Sequence, residues 1–231
     1  MNLRRLLVAL LVIVLSAIMG SAAVWQYCRG VDRIAELERF RDLIRQTPRR
    51  IPAADLPATK GELVVRLSGR FDLEHQILLD NQIRDGQFGY RVWTVLRSEQ
   101  ANVLVDRGWV AGSSSRDVLP TWQTPDRPVE VTGHWRPLPQ AGIATHGNPC
   151  PVARWPVRLH YPSAETLACA LDRSLLPGML QLLPDSPHGF ARDIELPGLP
   201  PERHFAYAGQ WAGLTLALWV LIWIVWRRRE R

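Results

Sequence analysis

The stretch LLVALLVIVLSAIMGSAAVWQY, residues 6–27, carries no charged side chain over 22 positions. At about 1.5 Å of rise per residue, a helix of this length crosses the ~30 Å hydrocarbon layer of a bilayer. A second uncharged run, YAGQWAGLTLALWVLIWIVW, spans residues 207–226. The sequence therefore predicts two transmembrane helices, 6–27 and 207–226, with one domain, residues 28–206, between them.

Arginines flank both apolar runs and predict their orientation. Arg4 and Arg5 precede the first run, and the second is followed at once by RRRER. Basic residues next to a span favour the cytoplasmic side, whereas long translocated domains escape this rule. We therefore predict cytoplasmic ends, residues 1–5 and the basic tail 227–231, and an extracytoplasmic domain 28–206.

A cleaved signal peptide is the alternative to the first span, because Ser21-Ala22-Ala23 resembles a small-residue cleavage site. The apolar run continues past this point to Trp25 and Tyr27, and aromatic side chains commonly mark the membrane interface. These residues favour a retained anchor.

Charge and cysteine usage exclude several classes of protein. The net charge is +6, yet Lys60 is the only lysine and no basic helix or stripe lies between the spans, so nucleic acid is not an expected partner. Cys28, Cys150 and Cys169 contain no CxxC pair, which excludes a zinc knuckle or thioredoxin motif. Cys150 and Cys169 could pair outside the cytoplasm, but the pattern favours three separate thiols.

The residues between the spans predict a short helix and then β structure. Apolar residues at three- and four-residue spacing continue a helix over 29–46, which Thr47-Pro48 ends. Alternating or β-branched runs predict strands at 63–68, 75–79, 90–96, 102–110, 129–132 and 179–183, with Gly69 as a break and 137–162 as loop. Ser163 can cap a helix over 164–171. The fold class is thus an α+β membrane protein: two transmembrane helices flank one mostly β extracytoplasmic domain, an antiparallel sheet or barrel.

Signatures of catalysis are missing from the sequence. It contains no GxSxG, no GxxxxGK[ST] and no HExxH, and its six histidines stand singly. Asp80 and Asp85 lie near Gly86 and Gly89 and are interpreted as turn residues rather than an acid–base pair. The sequence does not predict an enzyme.

Functional-looking side chains cluster where both spans leave the membrane. On each helix they share one face, with three- or four-residue spacing: Trp25, Arg29 and Arg33, and His204, Tyr207 and Trp211. If the helices are neighbours, this set resembles a haem site, with a histidine for iron, rings for the porphyrin and arginines for the propionates. The alternative is an aromatic belt with ordinary basic flanks.

Four segments in order resemble the surfeit-locus protein family of cytochrome c oxidase assembly factors. They are Trp25-Gln26 with Arg29 and Arg33, Asp80-Asn81 with Gly89-Tyr90 and Val92, the stretch Val105-Asp106-Arg107-Gly108-Trp109-Val110-Ala111, and His204 with Tyr207, Gln210 and Trp211. Arginine replaces the family's usual lysine at Arg33, and Thr94-Val95-Leu96 replaces its T-P-L. The resemblance covers nearly the whole chain.

The resemblance implies a role in maturing the haem a-containing oxidase subunit. It implies haem a, held transiently or delivered, as a cofactor, with His204 as the candidate iron ligand, and it implies the haem-bearing subunit, other oxidase assembly factors and the lipid bilayer as partners. Arg107 and Trp109 become candidate partner contacts, although a tight bend at Gly108 with Trp109 packed in the core explains them as well. The arginine-rich composition and the absence of a transit-peptide pattern predict a bacterial inner membrane.

Two other function classes remain open at this point. A membrane-anchored ligand-binding or sensor module would need a cytoplasmic output domain, for which the short ends leave little room. An extracytoplasmic hydrolase would need a nucleophile motif. The expected function is a non-enzymatic chaperone of respiratory-chain biogenesis.

Overall fold

A computed structural model describes residues 3–56, 62–99, 101–113, 115–139, 150, 154–192, 196 and 198–229. It divides into two compact units, Met1–Arg41 with Leu196–Arg231, and Asp42–Glu195. The elements in chain order are α1 Leu3–Arg45, β1 Arg49–Arg50, a 3-10 turn Ala53–Asp55, β2 Leu63–Arg84, β3 Gln87–Arg97, β4 Asn102–Ala111, β5 Val129–Arg136, β6 Val157–Leu159, α2 Ala164–Leu171, β7 Met179–Leu182 and α3 Pro201–Arg229.

The first unit contains the two long helices. α1 is one uninterrupted helix of 43 residues, so the predicted continuation beyond the first apolar run is confirmed. It ends at Arg45, just before Thr47-Pro48, because a proline disfavours helical backbone at the residue before it. α1 and α3 are both long and apolar enough to cross a membrane. The span limits 6–27 and 207–226 remain predictions.

The second unit is built on a closed barrel. Neighbouring strands follow the order β2-β3-β4-β7-β5, and β5 pairs with β2 to close the ring, from Leu63↔Trp135 to Gly69↔Val129. The mostly β, α+β fold is therefore confirmed. The expectation of an antiparallel sheet is correct for only part of it, because β7 runs parallel to β4, and β1 and β6 run parallel to β2.

β2 corrects the prediction of two short strands broken at Gly69. It runs unbroken for 22 residues, pairing with β5 through Gly69 and with β3 from Arg70 onward. A Cβ at Gly69 would lie 2.7 Å from the Arg97 carbonyl oxygen and 2.9 Å from Leu96 Cγ. The glycine thus permits a close approach between strands and does not end the strand.

Both faces of the sheet are buried in the middle of the barrel unit. In β4, Val103 and Val105 pack in one apolar cluster, while Leu104 packs in a second that includes Leu167 and Leu171 of α2. Burial on both faces explains why the run from Val103 to Val105 is continuously apolar and does not alternate.

α2 matches its predicted limits. Ser163 Oγ accepts a hydrogen bond from the Thr166 amide at 3.1 Å, which satisfies one of the free donors at the start of the helix. A disulfide joins Cys169 of α2 to Cys150, with their Cα atoms 5.7 Å apart. The pattern had favoured separate thiols, so this pairing is a correction. The predicted loop over 137–162 contains β6, which is too short to give a recognisable pattern.

Only one of the two predicted turn aspartates lies in a turn. Asp85 (φ 51°) and Gly86 (φ 76°) form the two-residue turn between β2 and β3. Asp80 is 5% exposed inside β2, where it precedes Asn81 (φ 59°) at an irregularity in the pairing with β3. The interpretation of Asp80 as a turn residue is therefore wrong, since a bulge gave the same local signal.

Candidate functional site

The two long helices meet where Gly30 of α1 faces Phe205 of α3. A Cβ at Gly30 would lie 2.7 Å from Phe205 Cε1, so only glycine lets the ring lie against the helix at this distance. The Tyr27 and Phe205 rings also approach, with centroids 5.7 Å apart. This contact makes the residues near Gly30 and Phe205 neighbours, as the site prediction requires.

His204 makes a hydrogen bond across this contact. It is 9% exposed, and its Nδ1 lies 2.9 Å from Oε1 of Gln26. Because an amide oxygen only accepts, Nδ1 is the donor in this bond, and in the neutral imidazole Nε2 is then the nitrogen with the lone pair. A histidine held through one nitrogen in this way is oriented as a metal ligand through the other.

Gln26 was missing from the predicted site residues. It stands beside Trp25 in the sequence, but its role depends on a partner 178 positions away. Helical spacing places residues on a face of one helix and does not show which face meets a second helix. The available signals were its place beside the interface aromatics and in the Trp25-Gln26 pair of the first family-like segment.

Arg33 and Arg29 differ in their surroundings. Arg33 is 6% exposed; its guanidinium pairs with Glu36 at 2.8 Å and donates to the Leu196 carbonyl oxygen at 2.8 Å. It therefore ties α1 to the segment that leads into α3. Arg29 is exposed on α1. Of the two guanidiniums predicted to face propionates, Arg29 is the accessible one.

The predicted aromatic residues lie on the outside of the helices. Trp25 is 62% exposed, Tyr207 is 40% exposed and Trp211 is half-buried. In the part of the chain that the structure describes, no ring stacking connects these three side chains. The structure thus brings His204 into contact with α1, but it does not show the three rings packed together around a common site.

The Arg107-Gly108-Trp109 segment forms a bulge in β4. Arg91 pairs with Trp109 and Trp93 pairs with Asp106, so Arg107 and Gly108 together oppose the single residue Val92. Gly108 has φ 110°, a conformation that favours glycine. The extra residue turns the Arg107 side chain into the barrel unit.

Arg107 is 1% exposed and joins several segments of the barrel unit. Its guanidinium donates to the His188 carbonyl oxygen at 2.9 Å, to Thr124 Oγ1 at 2.6 Å and to the Gln123 carbonyl oxygen at 3.1 Å. Trp109 is half-buried, and its Nε1 donates to the Gln82 carbonyl oxygen at 3.0 Å. These contacts favour the structural interpretation, and a partner contact at either residue stays a prediction.

Sequence reasoning also missed a buried ion cluster around Asp72. The Asp72 side chain is fully buried. Its carboxylate Oδ2 lies 2.7 Å from Arg97 Nη2, 2.8 Å from Arg173 Nη1 and 3.0 Å from His75 Nδ1. Burial raises the pKa of Asp72, but hydrogen bonds from Arg97 and His75 outweigh it and lower the pKa to about 2. The cluster ties β2 and β3 to the segment after α2.

Comparisons with known proteins place the chain in a family. A search of curated proteins found no match. The model of the SURF1 family matches residues 13–216, a range that begins inside the first apolar run, includes the whole barrel unit and ends inside the second run. The family is one of cytochrome c oxidase assembly factors, as the four ordered segments predicted. With most of its length matched, this chain belongs to the SURF1 family.

Proposed function

We propose that this protein assists maturation of the haem a-containing subunit of cytochrome c oxidase, and that it holds or delivers haem a where α1 and α3 meet. The family supports the role in oxidase assembly. The observation that carries the haem proposal is the hydrogen bond from His204 Nδ1 to Gln26 Oε1 across the two helices.

The side chains at this contact suit a haem group in their chemistry. His204 Nε2 would hold the iron, and Gln26 would fix the ring orientation that this requires. Arg29 offers an exposed guanidinium to a propionate, and Trp25 and Tyr207 offer exposed aromatic surface. Arg33 positions the chain that leads into α3, since its own charge is already paired. When bound, haem would supply an iron centre for ligation by His204.

The proposed location is a bacterial inner membrane, with both chain ends in the cytoplasm and the barrel unit in the periplasm. Two helices of sufficient length and apolarity support membrane anchoring. The arginines beside both apolar runs support the orientation. The Cys150–Cys169 disulfide supports an oxidising compartment for the barrel unit, because disulfides persist there and are rare in the cytosol.

A gene deletion tests the assembly role. We expect reduced-minus-oxidised spectra of the membranes to show a weaker haem a band and oxidase activity to fall, while other cytochromes persist. A normal haem a band and normal activity, under conditions in which the oxidase is expressed, would contradict the assembly role.

Haem that co-purifies with the detergent-solubilised protein tests the site separately. His204→Ala should remove most of it. His160→Ala is the matched control, because His160 is an exposed imidazole of the barrel unit and should leave haem content unchanged. The ligand proposal fails if the parent protein carries no haem or if His204→Ala retains it, whatever the deletion shows.

Gln26 is proposed as a positioning residue. Gln26→Leu removes the acceptor and should weaken haem retention about tenfold, the usual cost of losing a residue that orients a ligating histidine. Gln26→Glu keeps an acceptor oxygen and should retain haem. Equal haem content in the two variants would contradict this role.

A further inference from the structure

A pocket of about 270 Å³ in the barrel unit is lined by two short stretches and one strand residue: 123–125, 188–190 and Arg107. No carboxylate is among the described residues that line it. The proposed haem site does not involve this pocket, so its chemistry needs a separate account.

Among the residues that the structure describes, the buried cation at this pocket donates its hydrogen bonds to neutral groups. Arg107 donates to two carbonyl oxygens and one hydroxyl, and its guanidinium carbon lies 4.9 Å and 4.6 Å from the ring centroids of Phe71 and Phe190. Burial lowers the pKa of Arg107 to about 10, so the group stays charged at neutral pH. A buried charge is poorly screened, and its field extends into the adjoining space.

The nearest other charges leave this positive field in place. Burial, followed by the charges of Arg127 and Arg107, lowers the pKa of His188. Asp106 beside Arg107 pairs with Arg91 at 2.7 Å, and Asp126 beside Arg127 lies 3.5 Å from Arg70. These two carboxylates are thus already engaged by other arginines.

Thr124 connects the buried cation to the pocket. Its Oγ1 accepts a hydrogen bond from Arg107 at 2.6 Å, which leaves its own O–H proton available to a different acceptor. Accepting from a cation makes a hydroxyl a stronger donor. The hydroxyl can therefore transmit the charge of Arg107 to a group inside the pocket, although Arg107 itself is almost inaccessible.

We propose that this pocket binds an oxyanion, a carboxylate or phosphate group, with the Thr124 hydroxyl, the Gln123 amide and the His188 imidazole as donors and with Arg107 and Arg127 supplying the positive charge. Arg107 acts through Thr124 and is a positioning residue. Anion recognition uses donors backed by positive charge in a pocket without acidic lining, and the described lining residues meet both conditions.

The test is thermal unfolding of the full chain in detergent with sodium acetate, sodium phosphate or sodium chloride at equal ionic strength. Phosphate also stabilises proteins without binding, by exclusion from their surface, so the comparison is between variants. Thr124→Val removes the hydroxyl at nearly constant shape, Thr124→Ser keeps it, and Thr121→Val is a matched exposed control. Arg127→Gln reduces the charge without altering the core.

We expect acetate or phosphate to raise the unfolding midpoint above the chloride value in the parent, Thr124→Ser and Thr121→Val proteins. Thr124→Val and Arg127→Gln should lose this excess. A larger effect of acetate identifies a carboxylate ligand, and a larger effect of phosphate identifies a phosphate group. The proposal is overturned if neither anion exceeds chloride, or if the excess persists in Arg127→Gln and in a folded Thr124→Val protein.

Discussion

At the level of single residues, close approach decides where the helices meet. Gly30 leaves room for Phe205. One turn earlier on α1, Gln26 makes its hydrogen bond to His204 of α3. Arg33 then ties the segment before α3 to α1. Each of these α1 residues carries out a task that depends on a partner in α3 or in the segment before it.

We predict that Gly30→Leu separates α1 from α3, because the new side chain would occupy the position of the Phe205 ring. Co-purified haem should fall severalfold, and the unfolding midpoint of the detergent-solubilised protein should drop. Gly20→Leu is the control, since a Cβ at Gly20 meets nothing within 4 Å. Equal effects of the two substitutions would show that Gly30 has no special role.

At the level of elements, those set by local interactions could be predicted from the sequence, and those set by long-range pairing could not. α2 begins and ends where the Ser163 cap predicted, and the Asp85-Gly86 turn was read correctly, because both depend on hydrogen bonds and φ values within a few residues. β6 was missed because its three residues are strand only through pairing with β2.

The disulfide provides a prediction for α2. Replacing Cys169 with Ser should lower the free energy of unfolding by about 3 kcal/mol, the usual effect of opening a loop of this size. Urea unfolding of the detergent-solubilised protein measures it. Cys28→Ser serves as the control, because Cys28 is exposed and unpaired, and its unfolding should match the parent. A Cys169→Ser protein as stable as the parent would contradict the prediction.

At the level of the whole molecule, buried titratable groups make the barrel unit sensitive to acid. Burial, followed by the charge of Arg136, lowers the pKa of His134 to about 4 from its ordinary value of 6.5. As the pH falls, His134 is therefore protonated at a higher pH in the unfolded chain than in the folded one. The free energy of unfolding decreases as the pH falls from 6.5 to about 4. Asp72, with a pKa of about 2, adds a second loss as the pH falls below its ordinary value of 3.8.

We predict that urea unfolding between pH 7 and pH 4 shows a loss of about 3 kcal/mol due to His134. His134→Gln should remove most of this pH dependence, even where it lowers stability at pH 7. His160→Gln, a change at an exposed histidine, should retain it. If stability does not change with pH over this range in the parent protein, the assignment to His134 is wrong.

Sequence by itself determined the features that depend on neighbouring residues. Apolar length and flanking arginines predicted the two spans, alternation predicted most strands, and four ordered segments indicated the family that the family model then matched. Hydropathy, backbone propensity and turn chemistry act over a few neighbouring residues, so they can be read directly from the sequence.

Only the tertiary structure decided which distant residues meet. It closed the barrel through β5 and β2, placed β7 parallel to β4, paired Cys150 with Cys169 and gathered Arg97 and Arg173 around Asp72. It also supplied Gln26 as the partner of His204 at the outer end of the predicted spans. These contacts join positions far apart in the chain, and their pairing is set by packing of the whole fold, which no local pattern records.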